Sequence, residues 1–238
     1  MRSVIVYPDQ QAVADATGAR LGVKISDAVA LRGVAHVVLT GGTVGVGLLA
    51  SLAGSPLATL IDWTSVHVWW GDERFVARGD SDRNEGQAQS ALLRHVPLPE
   101  ENIHRMGNTD EFASAEDAAS AYAEEVSARG NPTWDVVMLG MGPDGHIASL
   151  FPGHPVYVAG ADSEATAVHD SPKPPPIRVS LSLASINRAR EVWVVAAGAP
   201  KADAVADALR AGSLLPAGQV HGIEKTLWLI DAEAATRA

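Results

Sequence analysis

The chain has 238 residues, 47% of them hydrophobic, which is ample for a sizeable core in one large domain or two small ones. Its net charge of −10, from 18 basic and 28 acidic residues, excludes a general nucleic-acid surface but leaves room for a local cationic pocket. The absence of cysteine removes disulfides, thiolate chemistry and cysteine-based zinc sites.

Along the chain, apolar runs alternate with stretches of helical spacing. A short strand is expected over 4–7, then an Ala-rich helix over 10–31 whose middle is weakened by Gly18 and Gly22. No charged segment with a long apolar core opens the chain, and no run of 18 apolar residues follows, so a soluble, cytoplasmic protein with no membrane contact is expected. Buried strands are expected over 35–39 and 66–70, with helices over about 46–52 and 84–93. A short strand over 102–106 and a helix over 113–128 precede a strand over 134–139. Residues 177–181 and 191–197 read as strands around a short helical 183–190, a helix follows over 199–209 with Pro200 near its start, and a last strand spans 226–230. Such alternation implies an α/β fold: a mainly parallel, Rossmann-like sheet covered by helices on both faces, a three-layer sandwich occupying 1–238 as one domain. No internal repeat is present. The run Pro172-Lys173-Pro174-Pro175-Pro176 reads as a stiff spacer.

Polar clusters follow the strand ends, where ligands bind in open α/β sheets. Thr40-Gly41-Gly42-Thr43 lets backbone amides approach an anion ahead of a helix N-terminus, which suits a phosphate. It is not a Walker A loop, since no Gly-Lys-Ser/Thr follows. It also fits a threonine form of the nucleophile elbow, and a plain strand–helix turn accounts for it equally well. Asp72-Glu73-Arg74 is either a buried ion pair that orders the loop or a source of Arg74 for an anionic substrate group.

Gly140-Met141-Gly142-Pro143-Asp144-Gly145-His146 places a titratable histidine and a carboxylate at a strand's carboxyl end. Asp144 can fix the His146 tautomer. The same run matches G-x-G-x-x-G, but the dinucleotide fingerprint must open a long helix, and Pro152-Gly153-His154-Pro155 cuts any helix short. His154 is read as a loop residue. Finally, Lys201 lies in the first turn of its helix, where a cation opposes the macrodipole. An anion held between Lys201 and Arg178 would resolve that conflict; a solvated lysine is the bland alternative. No H-x-x-x-H or H-E-x-x-H spacing supports a metal.

In this order the clusters resemble the 6-phosphogluconolactonases, within the glucosamine-6-phosphate isomerase/6-phosphogluconolactonase superfamily. The matching stretches are Gly41-Gly42-Thr43, Asp72-Glu73-Arg74-Phe75-Val76 with Asn84, and Gly140 through Pro152. They continue with Arg178-Val179-Ser180-Leu181, Asn187 and Gly198-Ala199-Pro200-Lys201-Ala202. The resemblance implies hydrolysis of 6-phospho-D-glucono-1,5-lactone to 6-phospho-D-gluconate, the second step of the oxidative pentose phosphate pathway, with no obligatory cofactor or metal. On that chemistry His146 takes a proton from the attacking water and delivers one to the ring oxygen. Asp144 orients it or positions the substrate, and Arg74 serves the oxyanion or holds the substrate. Gly42, Thr43, Arg178 and Lys201 grip the phosphate. The expected partner is a small sugar-phosphate lactone, on a monomer or weak homo-oligomer.

The chain departs from the family at Val44-Gly45 and Ala77, where proline is common, and at Arg83, where serine is common; Arg83 is therefore not expected to be a ligand. An aminosugar-phosphate deaminase/isomerase of the same fold is the close alternative. Such enzymes carry Glu five residues after the His, whereas Phe151 stands there and transfers no protons. A non-catalytic sugar-phosphate-binding protein is a further alternative.

Overall fold

The computed structural model describes residues 1–158 and 163–238. In chain order its strands and helices are β1 (Arg2–Tyr7), α1 (Gln10–Arg32), β2 (Ala35–Leu39), α2 (Gly42–Gly54), β3 (Val66–Trp70) and β4 (Asp72–Arg74). Next come α3 (Asn84–Ala91), α4 (Ala115–Ala128), β5 (Val136–Gly140), α5 (Pro155–Val158), β6 (Ala165–Val168) and β7 (Arg178–Leu181). The chain closes with α6 (Leu183–Asn187), β8 (Glu191–Ala196), α7 (Ala202–Leu209), α8 (Pro216–Gln219) and β9 (Lys225–Asp231). Six strands form a parallel sheet in the order β1-β9-β8-β5-β2-β3. The central strands are buried almost throughout, as expected where helices cover both faces.

Two local rules shape α1. Asp9 caps its start by accepting the Ala12 N–H at 2.8 Å, and Gly33, in the left-handed region at φ 76°, ends it. Gly18 and Gly22, expected to weaken this helix, are instead where α2 packs against it. A Cβ at Gly18 would stand 2.6 Å from the Leu48 carbonyl oxygen, so close helix contact offsets the lost propensity.

Other expectations need correction. Residues 102–106 form no strand: a 3-10 turn over Glu100–Asn102 leads to one parallel bridge between Ile103 and Val68. The segment at 177–181 does not join the parallel sheet. It becomes β7, the centre of a small antiparallel sheet ordered β4-β7-β6, and β6 had no sequence expectation. Local pattern cannot distinguish the two sheets, because pairing is chosen by distant segments. In this second sheet Arg74 lies directly opposite Arg178.

A polar seam crosses the core beside β3. The rings of His36, His67 and His104 stack at centroid distances of 4.9 and 5.2 Å, and Trp69 stacks on His104 at 3.7 Å. His67 Nδ1 lies 2.9 Å from His104 Nε2, whose ring reaches Glu125 through Nδ1 at 2.5 Å. Burial, then the charges of His67, His104 and Arg129, holds His36 down to about 4. Burial, His104 and Arg129 do the same to His67, also to about 4. Unfolded histidines titrate near ~6.5, so below that pH the unfolded chain binds more protons. Stability contributed by these neutral rings is full above about pH 6.5 and lost as pH falls towards 4. Both rings are partly exposed, so solvent screening limits the loss to about 1–2 kcal/mol for the pair. Urea unfolding at pH 7 and pH 5 checks this: the wild type should lose stability at pH 5, and His67→Asn should lose less. A pH-independent difference between the two proteins would refute it.

Candidate active site

The strand order creates a switch point. The chain leaves β2 towards β3 on one side, while β5 lies on the other side of β2 and is followed in the sheet by β8. Ligands in open α/β sheets bind in the crevice outside the carboxyl ends at such a point. Here Thr40, just past β2, accepts the Gly140 N–H on Oγ1 at 3.1 Å and ties the two strand ends together. Above them lies a cleft of about 290 Å³. Arg74, His146, Lys173, Arg178, Lys201 and the Gly42–Thr43 turn all line it.

His146 is set by a tight loop, not by a helix. The Gly145 N–H donates to the Gly142 carbonyl at 3.0 Å, and the Gly142 N–H to the His146 carbonyl at 2.9 Å. No helix spans 141–154, so the dinucleotide geometry is absent from this stretch. The loop folds the His146 ring and the Asp144 carboxylate back over Gly142, where a Cβ would lie 2.0 Å from His146 Nδ1. Asp144 Oδ1 sits 2.6 Å from His146 Nδ1, which leaves Nε2 as the ring's remaining nitrogen. His146 packs on Phe151, with ring centroids 4.5 Å apart.

Burial pulls His146 below its ordinary value, with the Asp144 hydrogen bond and charge opposing and the Lys173 charge assisting. For Asp144, burial works upward, but the His146 bond and the charges of His146 and Lys173 outweigh it and hold the carboxyl low. Both directions agree on one state near neutral pH: ionised Asp144 beside neutral His146. That pair is fit to accept a proton from water.

At the other side of the cleft, α2 begins at Gly42 behind Gly41, which supplies no side-chain cap. Its first-turn N–H groups and positive dipole end therefore open towards the cleft. Lys201 lies in a 3-10 turn ahead of α7 and donates Nζ to the Met141 carbonyl at 2.6 Å, keeping two further donor positions. Burial holds its ammonium below the usual lysine range. An anion in the cleft would favour the charged form.

Arg74 and Glu73 separate in role. Glu73 is buried and makes no ion pair with Arg74. It accepts the N–H groups of Arg74, Asn84 and Glu85 at 2.8, 2.8 and 2.9 Å, and so caps α3 from a distance. Its ionic neighbour is the fully buried Arg83, at 3.8 Å. Arg83 donates to the carbonyls of Met106 and Gly107 and is not among the residues that line the cleft. Arg74 donates Nη1 to the Asp82 carbonyl and Asn84 Oδ1, while its buried Nε has no partner among the described residues. Arg74 lines the cleft, so its guanidinium is placed to meet an anionic or carbonyl oxygen there.

Arg178 is buried in the cleft wall but is no free cation. Three of its donor contacts go to backbone carbonyls of the proline run, and Asp72 Oδ2 lies 3.8 Å from its Nη1. His154 is not among the residues lining the cleft; its Nε2 lies 2.7 Å from the His169 carbonyl oxygen. Sequence reasoning passed over Lys173, whose Nζ reaches 3.3 Å from His146 Nδ1 and 3.5 Å from Asp144 Oδ1. The available signal was a single cation inside a proline run. Among the described residues no group of three or more His, Asp or Glu side chains is arranged to hold a metal ion, and no helix is long and apolar enough to cross a membrane.

A sequence model of the glucosamine-6-phosphate isomerases/6-phosphogluconolactonase family matches residues 8–228. The 6-phosphogluconolactonase of Streptomyces coelicolor is 50% identical over 98% of this chain and 94% of its own. That of Mycobacterium tuberculosis is 45% identical over 99% and 98%. Among solved structures, the 6-phosphogluconolactonase of Trypanosoma brucei superposes with a TM-score of 0.84 at 27% identity, covering 99% of this chain and 98% of that one. A monomeric glucosamine-6-phosphate deaminase shares the fold at 17% identity, with a TM-score of 0.83 over 99% and 100% of the two chains. With the matched model and these relatives spanning almost all of its length, the chain belongs to the glucosamine-6-phosphate isomerase/6-phosphogluconolactonase family.

Proposed function

We propose that this protein is a 6-phosphogluconolactonase: it hydrolyses 6-phospho-D-glucono-1,5-lactone to 6-phospho-D-gluconate in the oxidative pentose phosphate pathway. The observation that carries the reading is the pairing, in one cleft, of an Asp144–His146 base with an anion cradle made by Lys201 and the α2 N-terminus. Near-full-length similarity to proteins named for this activity supports it. In this mechanism His146 Nε2 takes a proton from water as the water oxygen bonds to the lactone C1. Collapse of the tetrahedral intermediate breaks the bond from C1 to the ring oxygen, and the imidazolium returns its proton to that oxygen. The acid formed ionises to the carboxylate. Asp144 holds the tautomer and favours the imidazolium formed in between.

Arg74, on the cleft wall, takes the carbonyl oxygen as charge develops there or holds the substrate beside it. Gly42, Thr43, Lys201 and the remaining face of Arg178 hold the phosphate, and that remote grip orients C1 towards His146. Every group in this scheme comes from a single chain acting as one domain over 1–238. The deaminase alternative lacks support at Phe151, a buried ring against His146 where that chemistry needs an acid–base group.

The test is stopped-flow loss of freshly made 6-phosphogluconolactone with spontaneous hydrolysis subtracted. The purified protein should accelerate the loss at catalytic concentrations and release one proton per lactone. A rate equal to buffer alone would leave only the sugar-phosphate-binding reading.

A further inference from the structure

The run at 172–176 is not a passive spacer. Prolines at 172, 174, 175 and 176 supply no N–H donors, so the segment's conformation depends on what its carbonyls meet. They meet Arg178. Its Nε donates to the Pro175 carbonyl at 3.1 Å, and Nη2 donates to the carbonyls of Lys173 and Pro174, each at 3.1 Å. Ser171 completes the clamp, donating Oγ to the Lys173 carbonyl at 3.0 Å and its N–H to the Pro176 carbonyl at 3.0 Å. The planar guanidinium fork fixes three successive carbonyls at once, which a point-charge ammonium cannot do.

The consequence is the placement of Lys173. Its ammonium stands beside both members of the Asp144–His146 pair, at 3.5 and 3.3 Å. In the neutral ring Nδ1 carries the proton it gives to Asp144, so Lys173 has no lone pair to bind there and acts by charge. Asp144 and, from β4, Asp72 favour the imidazolium, and Lys173 opposes them. Lys201 and Arg178 also line the cleft, and Phe151 covers the ring with apolar surface. Burial is the largest influence keeping the ring neutral; the Asp144 carboxylate at 2.6 Å works against it, and the Lys173 charge offsets part of that carboxylate's pull.

We propose that Lys173, clamped by Arg178, is a positioning residue that shares the Asp144 carboxylate with His146 and so tempers that carboxylate's hold on the imidazole proton. The inference rests on the assignment of His146 as the general base, and its test reads the two separately. The His146 imidazole is titrated by NMR in the wild type, Lys173→Met and Lys173→Arg, and the pH profile of kcat/KM is recorded for each. In the wild type the acid limb should coincide with the imidazole midpoint. In Lys173→Met both should move up by about half to one pH unit, an effect moderated by solvent because the lysine is partly exposed. Activity on the acid limb then falls by about three- to tenfold, while the plateau above it changes little. Lys173→Arg should restore the wild-type midpoint. Arg178→Lys, which keeps the charge but loses the fork, should shift the midpoint in the same direction as Lys173→Met.

An unmoved imidazole midpoint in Lys173→Met overturns the inference, whatever happens to the rate. So does a uniform loss of activity at every pH with the midpoint in place, which would make Lys173 a substrate contact only. A wild-type acid limb that does not follow the His146 midpoint would instead remove His146 as the base, and the midpoint shift alone would still decide on Lys173.

Discussion

Replacing His146 with alanine is expected to lower kcat on 6-phosphogluconolactone by roughly 10²–10⁴, the usual consequence of losing a general acid–base group. The size follows from the geometry. His146 is the ring that Asp144 orients at 2.6 Å, and its side chain is only 14% exposed. Burial holds it neutral near pH 7, so the base is present before water arrives. Among the described residues no second histidine lines the cleft to replace it: His154 Nε2 lies against the His169 carbonyl oxygen, and His36, His67 and His104 stack beside β3. The phosphate grip lies on different residues, so binding of the product 6-phosphogluconate should survive. Steady-state kinetics with a product-binding titration on the folded variant checks both halves. A near-wild-type rate in folded His146→Ala would end the proposed mechanism, and loss of product binding would mean that the loop had collapsed instead.

The second large effect concerns the phosphate. Removing Lys201 should cost about 1.5–3 kcal/mol of binding, about ten- to hundredfold in kcat/KM, because a charge-assisted hydrogen bond to a dianion is lost in a partly buried site. The cycle crosses Lys201→Ala with glucono-1,5-lactone, which lacks the phosphate. There the penalty should shrink sharply, since the Lys201 ammonium then meets only the Met141 carbonyl. Arg178→Ala provides the contrast. Arg178 also holds the carbonyls of 173–175, so its loss should penalise both lactones. Equal penalties for Lys201→Ala on the two substrates would show that Lys201 acts through the fold or the carbonyl end, not through the phosphate.

What local chemistry encodes was legible in the chain. The apolar runs over Ala35–Leu39 and Val66–Trp70 became strands with those bounds, because a buried parallel strand is written as a continuous hydrophobic run. The glycine-rich turns after β2 and β5 were legible too, since only a few residue types accept such backbone. With them came His146 and Asp144, two residues apart on one loop. Lys201 could be placed at a helix start because Pro200 marks that start.

Long-range contact decided the rest. Whether Arg178 entered the parallel sheet depended on β4 and β6, segments far away in sequence, and pairing energy resides in such cross-strand neighbours. The sequence left open whether Asp72-Glu73-Arg74 was a buried ion pair or a source of Arg74 for substrate; the Glu73 carboxylate turned to the N-terminus of α3 and to Arg83, because a buried charge goes wherever donors converge. Gly18 looked like a flaw in a helix until α2 lay against it. Lys173 showed nothing in sequence but a charge among prolines. Its place beside His146 was set by three carbonyls held on the Arg178 guanidinium. By itself, then, the sequence determined the strands, the turns and the chemistry at their ends, which depend on neighbours in the chain. The tertiary structure alone decided which charges face one another across the cleft, because those energies depend on distance in space.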